Sequence, residues 1–319
     1  MNEHGEGTAG EGRWDPATEA FVTHRNLLFT VAYEILGSAT DAEDVLQETW
    51  LRWAGVDLET VRDQRAYLVR IATRQALTRL RALRRRRESY VGPWLPEPLL
   101  TAPDVAEHVE LAENVSMAML LVLETLAPTE RAVFVLREVF AVEYDEIADA
   151  VEKTPAAVRQ IAHRARRHVA ARRPRGGAVS PAETREALAA FQRAIATGDP
   201  RRLLDLIAPD VVLLTDGGGA VRAALAPIVG ADRVARVLVG LDPALSVGPT
   251  DINGSPGLLL RADDRIDTAL AVHLANGLIT SLYAIRNPTK LHHLHGAVPW
   301  PGRLGGAPGR GPGAGADGP

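Results

Sequence analysis

The sequence has 319 residues, 46% of them hydrophobic and 24% charged, enough for two or three globular domains. It has no cysteine, which excludes disulfides, thiolate metal sites and cysteine nucleophiles. The formal net charge of -4 hides a basic block: between Val69 and Arg87 there is no acid, while Arg70, Arg74, Arg79, Arg81, Arg84, Arg85, Arg86 and Arg87 are all basic. The first residues, MNEHGEGTAGEGRW, lack the basic start and apolar run of a secretion signal, and no membrane-spanning run is visible, so a cytoplasmic protein with no membrane partner is expected.

Residues 1–15 are Gly- and Glu-rich without periodicity and are expected to be disordered. Phe21, Leu28, Val31, Ala32 and Ile35 then make an apolar helical stripe that ends at Gly37 and Ser38. A second helix is predicted from Asp41 through DAEDVLQETWLRW, with Val45, Thr49 and Trp53 inward and Asp44, Gln47, Glu48 and Leu51 on an acidic outer face that has no evident reason within the chain. A long basic helix from Arg65 to about Arg87 carries Tyr67, Leu68, Ile71, Ala72, Gln75 and Leu80 among its arginines, a pattern that follows phosphates and offers an aromatic face to an opened base. Tyr90 to Leu99, YVGPWLPEPL, holds three prolines and a glycine and is predicted to be extended, with Trp94 as an anchor.

Helix returns from Asp104 to Leu126, with Met117, Leu120, Leu121 and Leu123 inward, and Pro128 opens another through Val133, Leu136 and Phe140. The stretch Glu143 to Arg173 reads as a helix-turn-helix. Tyr144, Ile147, Ala148 and Val151 form the buried stripe of its first helix. Thr154 caps the second helix and Pro155 fits its first position. Glu152 occupies a turn position that favours left-handed glycine, at a cost of about 1 kcal/mol. On the second helix Val158, Ile161, Ala162, Ala165 and Val169 face inward, and Arg159, Gln160, His163, Arg164, Arg166 and Arg167 present guanidinium forks and an amide suited to a major groove.

Residues 174–180 are a linker by composition. Beyond it, an amphipathic helix from Pro181 to Ala196 precedes strand signals at Val211 to Leu214, at Leu258 to Arg261, and on both sides of Asn276-Gly277, a strong hairpin turn. This is an α+β domain with a curved sheet on helices. Residues 296–319 are Gly- and Pro-rich and expected to be disordered. Asp216, His273 and Tyr283 are candidates for a carboxylate base and polar donors in such a domain, though Asp216 before three glycines reads more simply as a turn residue. His292, His293 and His295 lack a nearby carboxylate, so no metal and no cofactor are expected.

In their order and separation, DAEDVLQETWLRW, AYLVRIATRQALTRLR and the helix-turn-helix YDEIADAV with TPAAVRQIAHRAR resemble regions 2 and 4 of bacterial sigma factors of the extracytoplasmic-function group. WLPEP at Trp94 to Pro98, DGGGAV at Asp216 to Val221 and NPTKL at Asn287 to Leu291 resemble the subgroup that carries a SnoaL-like domain of the nuclear-transport-factor-2 superfamily. The resemblance implies region 2 at 16–88, a Pro-rich linker at 89–103, region 4 at 104–173 and a SnoaL-like cone with a curved mixed sheet at 181–295. It implies a non-enzymatic subunit whose partners are promoter DNA and core RNA polymerase, through the β-prime clamp helices and the β flap. Asp41, Glu43, Asp44, Gln47, Glu48 and Trp50 would then meet the clamp helices. Tyr67, Arg70, Arg74, Arg79 and Arg81 would open the minus-ten element, with Thr78 standing where the family commonly has Asp, and Arg159 to Arg167 would read the minus-thirty-five element. The resemblance further implies that the fused domain regulates in cis through Trp94, Leu95, Pro96, Asp216, Gly217, Gly218, Asn287, Pro288 and Lys290. A helix-turn-helix regulator whose second domain senses or transforms a small molecule is the alternative; it has no need of the acidic and basic helices before Trp94.

Overall fold

The computed structural model describes residues 15–101, 116–172, 180–263 and 265–294. The expected disorder at both ends, the first half of the helix expected from Asp104, and the linker at 174–180, apart from Ser180, lie outside these residues. Three helices come first: α1 (Pro16–Leu36), α2 (Ala39–Trp53) and α3 (Gln64–Arg87). Asp15 caps α1 through the amides of Ala17 and Thr18, and Gly37 ends it with φ 67°. Ser38, not a residue nearer Asp41, caps α2 by accepting from the Asp41 amide, so the helix starts two residues earlier than expected. The apolar residues of α1 to α3 close on Trp53, which is fully buried and donates its indole N–H to the Ala17 carbonyl.

A second group comprises α4 (Met117–Glu124), α5 (Pro128–Phe134) continued by a π-helical turn at Val135–Val139, α6 (Tyr144–Val151) and α7 (Pro155–Arg172). Glu152 between α6 and α7 adopts φ 56°, ψ 51°, as the turn requires, and Thr154 accepts from the Ala157 amide at the start of α7. The sequence reads the two groups as separate modules. Their buried residues instead form one continuous apolar cluster, because α6 lies against α3, and α5 with its π turn lies against α1.

The C-terminal domain has α8 (Pro181–Thr197), α9 (Pro200–Leu206), β1 (Ile207–Asp216), β2 (Ile228–Val229), α10 (Ala231–Val239), β3 (Ser246–Ile252), β4 (Ser255–Ala262), β5 (Arg265–Ala275), β6 (Leu278–Ile285) and α11 (Pro288–Leu291). The six strands make one mixed sheet in the order β2-β1-β6-β5-β4-β3, with β1 parallel to β6 and the other pairs antiparallel. Asn276 and Gly277 turn β5 into β6 with φ 54° and 78°, the pair of positive values that a two-residue hairpin turn needs. One face of the sheet, with Val211, Leu258, Leu260, Leu270, Val272 and Leu282, packs on α8 to α10. The other face, with Leu259, Ala269, Ala271, Tyr283 and Ile285, is covered by Leu95, by Met117 and Ala118 of α4, and by Leu291 and Leu294.

Candidate functional site

The segment after α3 runs between the helical modules and the sheet. Its backbone extends the sheet edge at β3: Leu100 bridges Ile252, the Thr101 amide donates to Asp251 and the Asn253 amide donates to Leu99. Prolines at 93, 96 and 98 keep it extended. Leu95 is wholly buried in the cluster on the outer sheet face, so Leu95 and not Trp94 is the apolar anchor. Trp94 is half-buried and lies between two cations, with Arg87 Cζ 3.4 Å and Lys290 Nζ 4.0 Å from its ring centre. Each cation–π contact is worth about 0.5 to 2 kcal/mol.

Both cations have a carboxylate. Lys290 pairs with Asp216 at 2.7 Å and also donates to the Leu95 carbonyl. Asp216 ends β1 fully buried, which corrects its reading as a turn residue. It also accepts from the Leu95 amide at 2.8 Å and the Tyr90 hydroxyl at 2.5 Å, and Asn287 donates to that hydroxyl at 2.8 Å. Burial, more than the Asp216 charge opposes it, lowers Lys290 to about 8, and burial followed by the bond to Asp216 raises Tyr90. A Cβ on Gly218 would stand 2.2 Å from Asn287 Nδ2, and one on Gly217 would stand 2.5 Å from the Val221 carbonyl, so both glycines are dictated by close approach. Pro288 opens α11 behind the Asn287 cap. Pro96 separates Leu95 from Glu97, whose carboxylate accepts from Ser38 at 3.0 Å and from the Thr40 amide at 3.0 Å. The same segment is thus held by α1 and α2 on one side and by the sheet domain on the other.

Asp216 and Tyr283 do not line a cone interior, and His273 is half-buried on β5 opposite Ser281. Tyr283 belongs to the outer sheet face and the Asp216 carboxylate is engaged by the segment that covers that face. His293 bonds the Pro98 carbonyl at 2.8 Å, and no cluster of possible metal ligands occurs among the described residues. His295 lies outside them.

On α7, Arg159, Gln160, His163, Arg164, Arg166 and Arg167 are exposed along one face. Arg164 and Arg166 reach back to Glu130 and Glu138 at 3.4 and 3.0 Å, and Arg159 stands over the Tyr144 ring at 5.8 Å. On α3, Tyr67 packs on Trp53 with Arg70 over its own ring, and Arg81 is exposed. Arg74 is turned toward the helix-turn-helix, bonding the Asp149 carbonyl at 2.7 Å and lying 3.6 Å from Glu152. Arg79 pairs with both Asp41 and Asp44. Asp41 and Asp44 therefore do have a partner within the chain, contrary to the sequence reading. Glu43 also pairs, with Arg25 at 2.9 Å, whereas Gln47 and Glu48 are exposed and Trp50 packs on Phe21.

At the end of α3 the arginines hold α4. Arg84 donates to the Glu124 and Leu126 carbonyls, and Arg87 to Glu124 and the Leu36 carbonyl. Glu124 also pairs with the fully buried Arg131. Sequence reasoning missed this cluster, together with Tyr33, Tyr90, Glu97 and Asn253. The signals were a lone Glu34 inside an apolar run, VAYEIL, and an Asn-Gly turn at 253–254.

A family model of sigma-70 region 2 matches residues 20–86 and one of sigma-70 region 4 matches residues 116–169. The chain is 34% identical to ECF RNA polymerase sigma factor SigJ of Mycobacterium tuberculosis, over 85% of this chain and 91% of that protein. It is 31% identical to the probable ECF RNA polymerase sigma factor SigI of the same species, over 88% and 96%. The crystal structure of SigJ superimposes with a TM-score of 0.70 at 32% identity, covering 86% of this chain and 98% of that one.

Proposed function

The chain belongs to the ECF sigma factors and directs transcription initiation by RNA polymerase, and we propose that the arrangement described above is its closed form, which must open to engage a promoter. The observation that carries this reading is the Arg74 bond to α6. Elements centred near -10 and -35 lie about 25 base pairs apart, roughly 85 Å along the helix axis at about 3.4 Å per base pair. A chain whose α3 touches its own helix-turn-helix at 2.7 Å cannot span that separation.

In the open form, the α2 face with Asp41, Glu43, Asp44, Gln47, Glu48 and Trp50 meets the β-prime clamp helices and the helix-turn-helix module meets the β flap. Tyr67, Arg70, Arg74, Arg79 and Arg81 act at the minus-ten element. The α7 face from Arg159 to Arg167 reads the minus-thirty-five element. The C-terminal domain regulates in cis by gripping WLPEP through Asp216, Asn287 and Lys290, which biases the closed form. The work is cytoplasmic; no described helix is long and apolar enough to cross a membrane.

Run-off transcription with purified core polymerase tests this. A chain ended at Gly176 should differ several-fold from the full chain in rate or promoter preference. Identical rate and preference would remove the regulatory part of the reading, and no promoter-dependent transcript from either form would remove the assignment of surfaces.

A further inference from the structure

Glu34 lies in α1 where the helix end is enclosed on all sides, and it is fully buried. Among the described residues, neither carboxyl oxygen has a hydrogen-bond partner. What stands beside it comes from the other helical module: α5 and the π turn pack on α1, and Arg131 of α5, also fully buried, donates its Nε–H to the Glu34 carbonyl at 2.8 Å. The Arg131 side chain is not held by the Glu34 carboxyl. Its Nη1 pairs with Glu124 of α4, and its Nη2 has no partner among the described residues. The remaining charged or titratable groups around this end of α1 are Tyr33 on α1 itself, Arg84 and Arg87 on α3, and Glu97 on the extended segment. Tyr33 bonds the Glu97 backbone, Arg84 the α4 carbonyls, Arg87 Glu124 and the Leu36 carbonyl, and the Glu97 carboxylate Ser38 and Thr40. All of them are committed elsewhere, and among the described residues no hydrogen-bond donor reaches the Glu34 carboxyl.

We propose that Glu34 is a proton-linked latch between the two helical modules, carried as the neutral acid in the closed form and favouring their separation once ionised. A buried carboxylate without donors is far costlier than the neutral acid, and separation returns it to water. This goes beyond the closed-form reading by naming a chemical input to it, and it rests on that reading.

Burial pushes the Glu34 carboxyl up to about 8, with the Arg131 charge pulling it partly back. The sign follows from the direction. The closed form holds the proton more tightly than the open one, so its advantage is complete below the ordinary glutamate value and is lost as pH rises to about 8. Within that window opening releases one proton, so the open-to-closed ratio should rise up to about tenfold per pH unit. Lys290, also held near 8, titrates with the opposite sign and only above that value; His24 on α1 and His273 on β5, both lowered by burial, are left in place by Glu34→Gln, so the difference between parent and variant from about pH 5.5 to 7.5 isolates Glu34.

The chain has no cysteine, so Glu59→Cys and Ala170→Cys, at exposed positions of the two modules, take a donor and an acceptor dye cleanly in the full-length protein. Energy transfer should fall with rising pH in the parent and stay flat in Glu34→Gln, which keeps shape without a titrating proton. Parallel slopes in parent and variant, or a flat parent, would overturn the latch. Infrared spectroscopy gives a second readout at pH 7: a protonated-carboxyl band in the parent that Glu34→Gln lacks. Absence of that band means an ionised Glu34 and refutes the proposal. If the dyes report no opening at any pH while the truncated chain transcribes differently, the latch fails and the regulatory reading stands. An open ensemble at every pH would instead remove the closed form itself.

Discussion

Asn253, in the turn between β3 and β4, donates a 2.6 Å hydrogen bond to the hydroxyl of Tyr33 in α1, 220 residues earlier in the chain. That hydroxyl donates in turn to the Glu97 carbonyl at 2.6 Å, and the Asn253 side chain accepts from the Leu99 amide at 3.2 Å. Two buried side chains thus tie the first helix, the extended segment and the C-terminal sheet at a single point.

Tyr33→Phe should therefore cost about 1 to 3 kcal/mol, because it strands a buried amide donor and a buried carbonyl as well as removing a hydroxyl. Equilibrium urea denaturation of the full chain measures it. Asn253 also has φ 53°, which glycine adopts freely and alanine resists. Asn253→Ala should be less stable than Asn253→Gly by about 1 kcal/mol. Equal stability would mean that the backbone geometry plays no part in the choice of asparagine.

Lys290→Met should cost about 3 to 5 kcal/mol, since it leaves Asp216 buried as a charge with two hydrogen bonds and no counter-ion. The double variant with Asp216→Asn should recover much of that loss, and a double-mutant cycle isolates the coupling. The pH dependence is specific. Burial depresses Lys290 to about 8, so between about 8 and the ordinary lysine value the unfolded chain binds the extra proton and the folded chain gains stability as pH rises. Lys290→Met should abolish that gain, read as the denaturation midpoint against pH.

The helical modules were legible in the sequence because their signals are local: Gly37 after an apolar stripe, Thr154-Pro155 opening α7, the left-handed Glu152, and Asn276-Gly277 between alternating strands. Region order, the exposed face of α7 and the packing of the C-terminal domain on WLPEP beside Asp216 and Lys290 also followed from short motifs. What stayed hidden depends on contacts between residues far apart. Arg79 reads as a free guanidinium until α2 brings Asp41 and Asp44 beside it. Trp94 reads as an anchor because it is large, yet the pleat of an extended chain sends its neighbour Leu95 inward. The merging of the two helical modules has no periodic signature, since Arg74, Arg84 and Arg87 of α3 look solvated until α6 or α4 covers them.

Charge reversal separates the acidic face from its internal partners. Glu48→Arg, at an exposed position, should leave circular dichroism unchanged and stability within about 0.5 kcal/mol. Asp44→Arg opposes Arg79 and should cost up to about 1 kcal/mol more, as expected for a partly exposed pair. Both should weaken pull-down of core polymerase. Undiminished pull-down by Glu48→Arg with a normal spectrum would take α2 out of the polymerase interface.

The basic residues divide into groups that face solvent and groups that hold the chain together, and their substitution should separate the two. Arg159→Ala should cost about 1 to 3 kcal/mol of promoter binding if its guanidinium reads a base, with preference relaxed at one position of the upstream element. Arg81→Ala, also exposed, should weaken binding to all sequences alike and reduce the slope of affinity against salt by about one. Arg84 stands where charge alone suggests a third phosphate contact, but it is committed to the carbonyls that end α4. Arg84→Ala should leave the salt slope of the opened chain unchanged and loosen the packing of α3 on α4, seen as faster amide exchange at Leu123 and Leu126. Filter binding across a salt series, with parallel hydrogen exchange on the same three variants, decides the matter: a reduced slope for Arg84→Ala with unchanged exchange would place that side chain on DNA and move the seam between the helical modules away from it.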